Sequence, residues 1–285
     1  MGALNNVAFA EVMHTALSYF QAGRADAGYK LLKSSVLDGM YLGDSPGNFG
    51  QISFYDAARG ECYRDFGDPI GVASRVLIQG LFGILPDALN QQIILRPGFP
   101  DDWDKASVST PDINYRFTRK EDTDTYHITQ RFQTPLHPVL HVNARKEKIR
   151  SVKVNGVPAT WQSIESAHGY PLLSIQAEGT SSTTITIEWE GAPLHTLAVQ
   201  EPVITSNGKL ALQIPSGASI SQVYDPQSVL ANHTVEATAF NAQIKGEPGH
   251  HTFFVYTHQG EMDWWQPVNI YIENVWESPL LYRLC

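Results

Sequence analysis

The chain has 285 residues, 42% of them hydrophobic and 17% charged, with a formal net charge of −9. This is ordinary globular composition, sufficient for more than one hydrophobic core. It excludes three classes: no Lys/Arg-rich run addresses a nucleic acid, no apolar run reaches the about 18 residues of a membrane helix, and two cysteines, Cys62 and Cys285, make at most one bridge.

Residues 5–85 read as helix. Phe9, Val12, Met13, Ala16, Leu17 and Phe20 recur at three- and four-residue spacing and give one apolar face. Asn5 or Asn6 can cap the start and Gly23 the end. A second helix, antiparallel to the first, begins near Asp26 and carries Ala27, Leu31, Val36 and Leu37. A third begins at Asp68-Pro69, with Asp as cap and Pro in the first turn. Its run from Ile70 to Ile84 is apolar nearly all round, which predicts burial on both sides.

Between the second and third helices lies a connection over residues 38–69, too long for a simple link and rich in aromatics, glycines and carboxylates. Tyr41, Asp44, Phe49, Tyr55, Asp56 and Tyr63 form a candidate substrate-binding set, because CH groups of a sugar stack on rings while its hydroxyls bond to acids. Glu61 and Asp65 are the candidate catalytic pair, four residues apart and on one face if locally helical. Each has a plainer reading, an ion pair with Arg59 or Arg64 that shapes the loop. Asp44 and Asp56 read equally well as turn supports, and part of the aromatic set as the loop's own small core.

From about residue 90 the period changes to two. Ile113–Phe117, Tyr126–Phe132, Val139–Val142, Val152–Val154, Leu172–Ile175 and Thr184–Ile187 read as strands, with turns at Asn155-Gly156 and Glu178-Gly179. Short strands at this spacing predict an antiparallel sandwich, ending near Gly191-Ala192-Pro193. The style repeats with new strands at Leu210–Leu212, Val235–Ala237, Phe253–Tyr256 and Val268–Ile272, a size suited to an immunoglobulin-like module. Trp103 and Trp161 are expected in cores. Trp264 and Trp265 point to opposite sides of an extended strand, one inward and the other available as a sugar platform. The ten histidines are scattered without metal-ligand spacing, no phosphate-binding glycine loop occurs, and no cofactor or metal is expected.

Three segments carry a resemblance: Gly83-Ile84-Leu85-Pro86-Asp87, then Ile94-Leu95-Arg96-Pro97-Gly98-Phe99-Pro100 with Trp103 and Ala106, then Val152 to Trp161. Together they resemble the passage from the α/α barrel of bacterial six-hairpin glycoside hydrolases into its C-terminal β-sandwich. Ser45 to Gly50, Ala58 to Pro69 and Gly260 to Val268 resemble a poorly characterised gut-bacterial family of such glycosidase-like proteins. The resemblance implies an α+β chain: residues 1–88 the C-terminal portion of a partial α/α barrel made of helical hairpins, 89–193 an antiparallel β-sandwich, 194–285 a small immunoglobulin-like β domain. It further implies the C-terminal part of a glycoside hydrolase using two-carboxylate chemistry. Carbohydrate is then the ligand, and the missing N-terminal barrel portion of the parent protein is a partner. The chain alone would turn over little. The opening Met-Gly-Ala-Leu-Asn-Asn carries no signal peptide, so export of a periplasmic or extracellular parent would be directed by sequence outside the chain. Two alternatives stay open: a non-catalytic carbohydrate-binding or scaffolding fragment, and a polysaccharide lyase fragment with Tyr41 or Tyr63 as base.

Overall fold

A computed structural model of the chain describes residues 6–42, 54–56, 61–63, 67–195, 197 and 201–273. The expected partial α/α barrel is not found. The chain is mostly β, at 51% strand and 19% helical, and three α-helices are present among the described residues. Two compact units divide it: residues 1–142, 151–161 and 174–188 form the first, and residues 143–150, 162–173 and 189–285 the second.

The first unit begins with β1 (Asn6–Ala8), α1 (Phe9–Gln21) and α2 (Ala25–Val36), the last running into a π-helical turn over Leu37–Leu42. The predicted face of α1 forms: Phe9, Met13, Ala16, Leu17 and Phe20 are all buried. Its cap differs from expectation. Asn6 lies in β1, and Ala8 occupies the N-cap position without a side-chain bond. Gly23 does end the helix, in the left-handed region at φ 73°. Its N–H reaches Phe20 O at 3.0 Å and the Arg24 N–H reaches Tyr19 O at 2.8 Å, a Schellman closure.

The long connection contributes β2 (Phe54–Asp56) and β3 (Glu61–Tyr63), which join β1 in a three-stranded antiparallel sheet. Next, α3 (Asp68–Arg75) starts one residue earlier than predicted, with Gly67 rather than Asp68 at the cap position, and continues as a π-helical segment over Val76–Leu81. The expectation of burial on both sides fails here. Val72, Val76, Gly80 and Leu81 are buried, whereas Ile70 is 50% and Leu77 40% exposed. The helical run also stops at Leu81, because Ile84 already belongs to a strand.

Phe20 explains how closely these helices pack. A Cβ added to Gly28, Gly80 or Gly98 would come to 3.0, 2.7 and 2.4 Å from its ring. Three glycines thus form the walls of one aromatic slot. Gly83, at φ 64°, makes the exit possible: a Cβ there would sit 1.8 Å from Arg96 O.

Strands β4 (Ile84–Asp87), β5 (Gln92–Leu95), β6 (Lys105–Ser109), β7 (Ile113–Lys120), β8 (Thr123–Gln130), β9 (His137–Asn143), β10 (Lys146–Val154), β11 (Val157–Pro158), β12 (Gln162–Ser163), β13 (Leu172–Gln176) and β14 (Ser182–Pro193) follow. They order as β11-β10-β14-β8-β7-β6 in one sheet and β12-β13-β9-β5-β4 in another. Alternation places Ile113, Tyr115 and Phe117 of β7, and Tyr126 and Ile128 of β8, in the core. The arrangement is mixed rather than purely antiparallel, since β5 runs parallel to β9. Asn155-Gly156 forms the predicted two-residue turn, with both residues at positive φ. Residues 177–181, around Glu178-Gly179, instead connect strands of different sheets. Trp103 and Trp161 are half-buried, while Trp189 is a core tryptophan.

The second unit carries β15 (Val203–Thr205), β16 (Lys209–Gln213), β17 (Ala218–Tyr224), β18 (Leu230–Val235), β19 (Ala239–Ile244), β20 (Gly249–Gln259) and β21 (Met262–Glu273). These form a four-stranded sheet, β15-β21-β20-β17, and a three-stranded sheet, β16-β19-β18. Strand β15 pairs parallel to β21. The core contains Leu210, Leu212, Phe240, Ile244, Phe253, Val255, Val268, Ile270 and Ile272. Two buried glutamines hold the incoming chain. Gln259 accepts from the His195 N–H at 3.0 Å and donates to Pro193 O at 3.0 Å. Gln266 accepts from the Leu197 N–H at 2.7 Å and donates to Thr257 Oγ1 at 3.1 Å.

Candidate functional site

Of the sequence-predicted site residues, Tyr41 lies in the π-helical turn after α2 and is 57% exposed. Tyr55 and Asp56 are half-buried in β2. The backbone register sets Asp56 opposite Glu61 and Phe54 opposite Tyr63. Glu61 therefore lies in an extended strand, not in the helical turn that would have stacked it with a residue four positions on. Asp44, Phe49 and Asp65 lie outside the described residues. The hollow nearest this predicted chemistry in type lies elsewhere in the first unit: an open depression of about 480 Å³ lined by Asp26, Tyr29, Lys30, Lys33 and Pro100 to Trp103. Trp103 meets Tyr29 edge-on at 4.9 Å and stacks on Phe99.

The denser constellation is on the second unit. Strands β20 and β21 form an antiparallel pair closed by Gly260-Glu261, with Tyr256 opposite Trp265 and Phe254 opposite Pro267. Because the side-chain period is two, this register sorts the residues strictly. Phe253, Val255, Trp264, Val268 and Ile270 enter the core. Phe254, Tyr256, Trp265 and Pro267 take the other face, joined by Tyr224, which pairs with Phe254 on β17. Trp264 is 1% exposed and Trp265 half-buried, the division expected from sequence. Tyr224 is 58% exposed.

The rings touch one another. Trp265 lies 5.0 Å from Tyr256 and 6.4 Å from Tyr224, at interplanar angles of 54° and 69°. Phe254 lies 6.2 Å from Tyr224 at 30°. The short segment through His168 extends the sheet edge beside Trp265: Gly169 N–H donates to Trp265 O at 2.7 Å, and Trp265 N–H to Ala167 O at 3.0 Å. This brings the His168 ring edge-on to Phe254 at 5.7 Å. Polar groups flank the rings. His258 pairs with Asp263 at 2.7 Å, and Thr252 donates to Asn269 at 2.8 Å. Partial burial, with Asp263 and Glu165 nearby, raises the Tyr256 hydroxyl above the ordinary phenol range, so it remains a proton donor.

No family model and no curated protein matches this chain. Among solved structures, the tandem Ig repeats of Dlar are similar at 9% identity, with 59% of this chain and 97% of that one covered and a TM-score of 0.19. The N-terminal Ig1-2 module of the Drosophila receptor protein tyrosine phosphatase DLAR follows at 11% identity, 54% and 91% coverage and a TM-score of 0.20. The N-terminal periplasmic domain of ScsB from Proteus mirabilis gives 8% identity, 60% and 99% coverage and a TM-score of 0.16. Likeness at these TM-scores decides neither fold nor function.

The site must therefore be judged on its chemistry. Half-buried and exposed rings bordered by hydroxyl, amide, imidazole and carboxylate groups suit a ligand that is apolar on its faces and polar on its rim. Sequence reasoning found Trp265 through its alternation with Trp264, and the Phe253–Tyr256 strand, whose even positions supply two more rings. It missed Tyr224 and His168, which reach the patch only through strand pairing. Among the described residues no group of three or more His, Cys, Asp or Glu could hold a metal, and no helix is long and apolar enough to cross a membrane.

Proposed function

We propose that this chain is a carbohydrate-binding β-domain portion of a bacterial glycoside hydrolase-like protein, holding glycan at the outer face of β17, β20 and β21. The observation that carries the reading is the cluster of exposed Tyr224 and half-buried Phe254, Tyr256 and Trp265 on a sheet whose opposite face is already committed to a core. Sugar CH faces pack on such rings, and the rim groups meet the hydroxyls. Affinity electrophoresis of the intact chain through gels containing soluble polysaccharides tests it. Retardation is expected with at least one polysaccharide, and Trp265→Ala or Tyr224→Ala should abolish it. The reading fails if no polysaccharide retards the chain, or if both variants migrate like the parent.

The catalytic reading is favoured by one observation, the register that sets Asp56 directly across from Glu61 on β2 and β3. It predicts hydrolysis of aryl-glycosides that Glu61→Gln removes. No turnover by the intact chain is expected under the binding reading.

A further inference from the structure

We infer that the aromatic face takes an uncharged, soluble glycan strand laid along β20 and discriminates against chains bearing carboxylate or sulfate; this rests on the carbohydrate reading above. Four observations define the ligand. The first is extent. The outward positions of β20 are His250, Thr252, Phe254, Tyr256 and His258, opposite Tyr271, Asn269, Pro267, Trp265 and Asp263 of β21. At about 3.4 Å per residue, His250 to His258 spans roughly 27 Å. That is a footprint for several sugars in a row, with rings at its centre and hydrogen-bonding groups toward both ends.

The second observation is charge. Strands β15, β17, β20 and β21 contain no Lys or Arg at all. Carboxylate and sulfate ligands are held by such groups, above all by the guanidinium fork. The third is the sign of what is present. Asp263 and Glu165 act on Tyr256 in the middle of the footprint, and Glu201 lies at the His250 end, 2.8 Å from that imidazole. His258 is likewise engaged by Asp263, and His168 by the Ser166 carbonyl. An incoming anion therefore meets carboxylates, and each of these imidazoles already has its Nδ1 engaged. The fourth is ring geometry. A crystalline polysaccharide presents a flat sheet and needs coplanar rings beneath it. Here Tyr256 and Tyr224 tilt by 54° and 69° from Trp265. Tilted rings follow a single strand whose sugars turn from one to the next.

Calorimetric titration of the intact chain at pH 8 decides the matter. Its arms are a length series of neutral oligosaccharides, uronate oligosaccharides of matched length, and sedimentation with crystalline cellulose and chitin powders. Affinity for the neutral series is expected to rise with length and then level off. Uronates should bind about tenfold or more weakly, a difference of about 1.4 kcal/mol, and the powders should not sediment the protein. Asp263→Asn with Glu165→Gln should narrow the gap between neutral and uronate chains. Uronates binding equally or better, affinity indifferent to length, sedimentation by the powders alone, or an unchanged gap in the double variant would each overturn the inference. Those outcomes leave the carbohydrate reading standing if Tyr224→Ala, at an exposed position that does not fill the core, still weakens binding. Absence of binding to every sugar overturns both.

Discussion

The slot around Phe20 gives a stability prediction whose sign follows from two opposed effects. Gly98 has no positive φ, so its backbone accepts alanine without strain. Gly→Ala at such a position stabilises by about 0.4–1 kcal/mol through the unfolded chain. Against this, the new methyl would lie 2.4 Å from Phe20 Cδ1 and 2.9 Å from Gly80 O. The ring is 4% exposed and hemmed in by Gly28 and Gly80, and the second obstacle is backbone. Overpacking of this kind costs about 1–3 kcal/mol, so Gly98→Ala should be net destabilising by about 1–2 kcal/mol. Phe20→Ala alone should cost about 3–5 kcal/mol as a cavity. In Gly98→Ala with Phe20→Ala the collision with the ring is gone, and the double variant should lose about 1–2 kcal/mol less than the sum of the singles. Urea denaturation of the four proteins measures this directly. Additivity within about 0.5 kcal/mol, or a stabilising Gly98→Ala, would refute the idea that the ring and the glycines share one space.

Other outcomes follow from single groups. Tyr115 is 1% exposed and its hydroxyl has no hydrogen-bond partner among the described residues, so Tyr115→Phe should be neutral or stabilising by up to about 2 kcal/mol on chemical denaturation. Burial, with Arg96 adding to it, holds His141 below the ordinary imidazole range. The unfolded chain then binds the proton first, so this residue's contribution is full above about pH 6.5 and is lost as pH falls through the lowered folded value; His141→Asn should flatten the acid side of a melting-temperature profile between pH 7 and pH 5. Trp264→Ala should cost about 3–5 kcal/mol as a core deletion, against about 1 kcal/mol for Trp265→Ala, which forfeits ring contacts on an outer face; equal losses in urea would mean that the two-sided reading of this strand is wrong.

The parts legible in the sequence are those where local chemistry and tertiary position agree. The face of α1, the Gly23 closure, the Asn155-Gly156 turn and the opposed tryptophans each follow from periodicity or backbone freedom within a few residues. The burial of the helix after Pro69 is not legible in this way, because an all-round apolar surface says nothing about which side has a neighbour, and Leu77 is left at 40% exposure. Its π-helical continuation and the parallel pairings of β5 with β9 and of β15 with β21 have no local signature. A single chain segment also hides half of the aromatic patch. Tyr224 and His168 lie 30 or more positions from Phe254, and only the register of β17 and the edge bridge to Trp265 bring them into it.

The two buried glutamines have a consequence for how the second unit comes apart. Side chains rather than a neighbouring strand hold the His195 and Leu197 amides, and both glutamines sit on β20 and β21. The His195 and Leu197 amides should therefore exchange as slowly as the sheet that anchors them, opening only when β20 and β21 separate. Under native conditions, protease cutting there would clock the loss of the whole sandwich. Replacing either glutamine with alanine would uncouple the two events, letting the residue it holds peel away while the sheet persists.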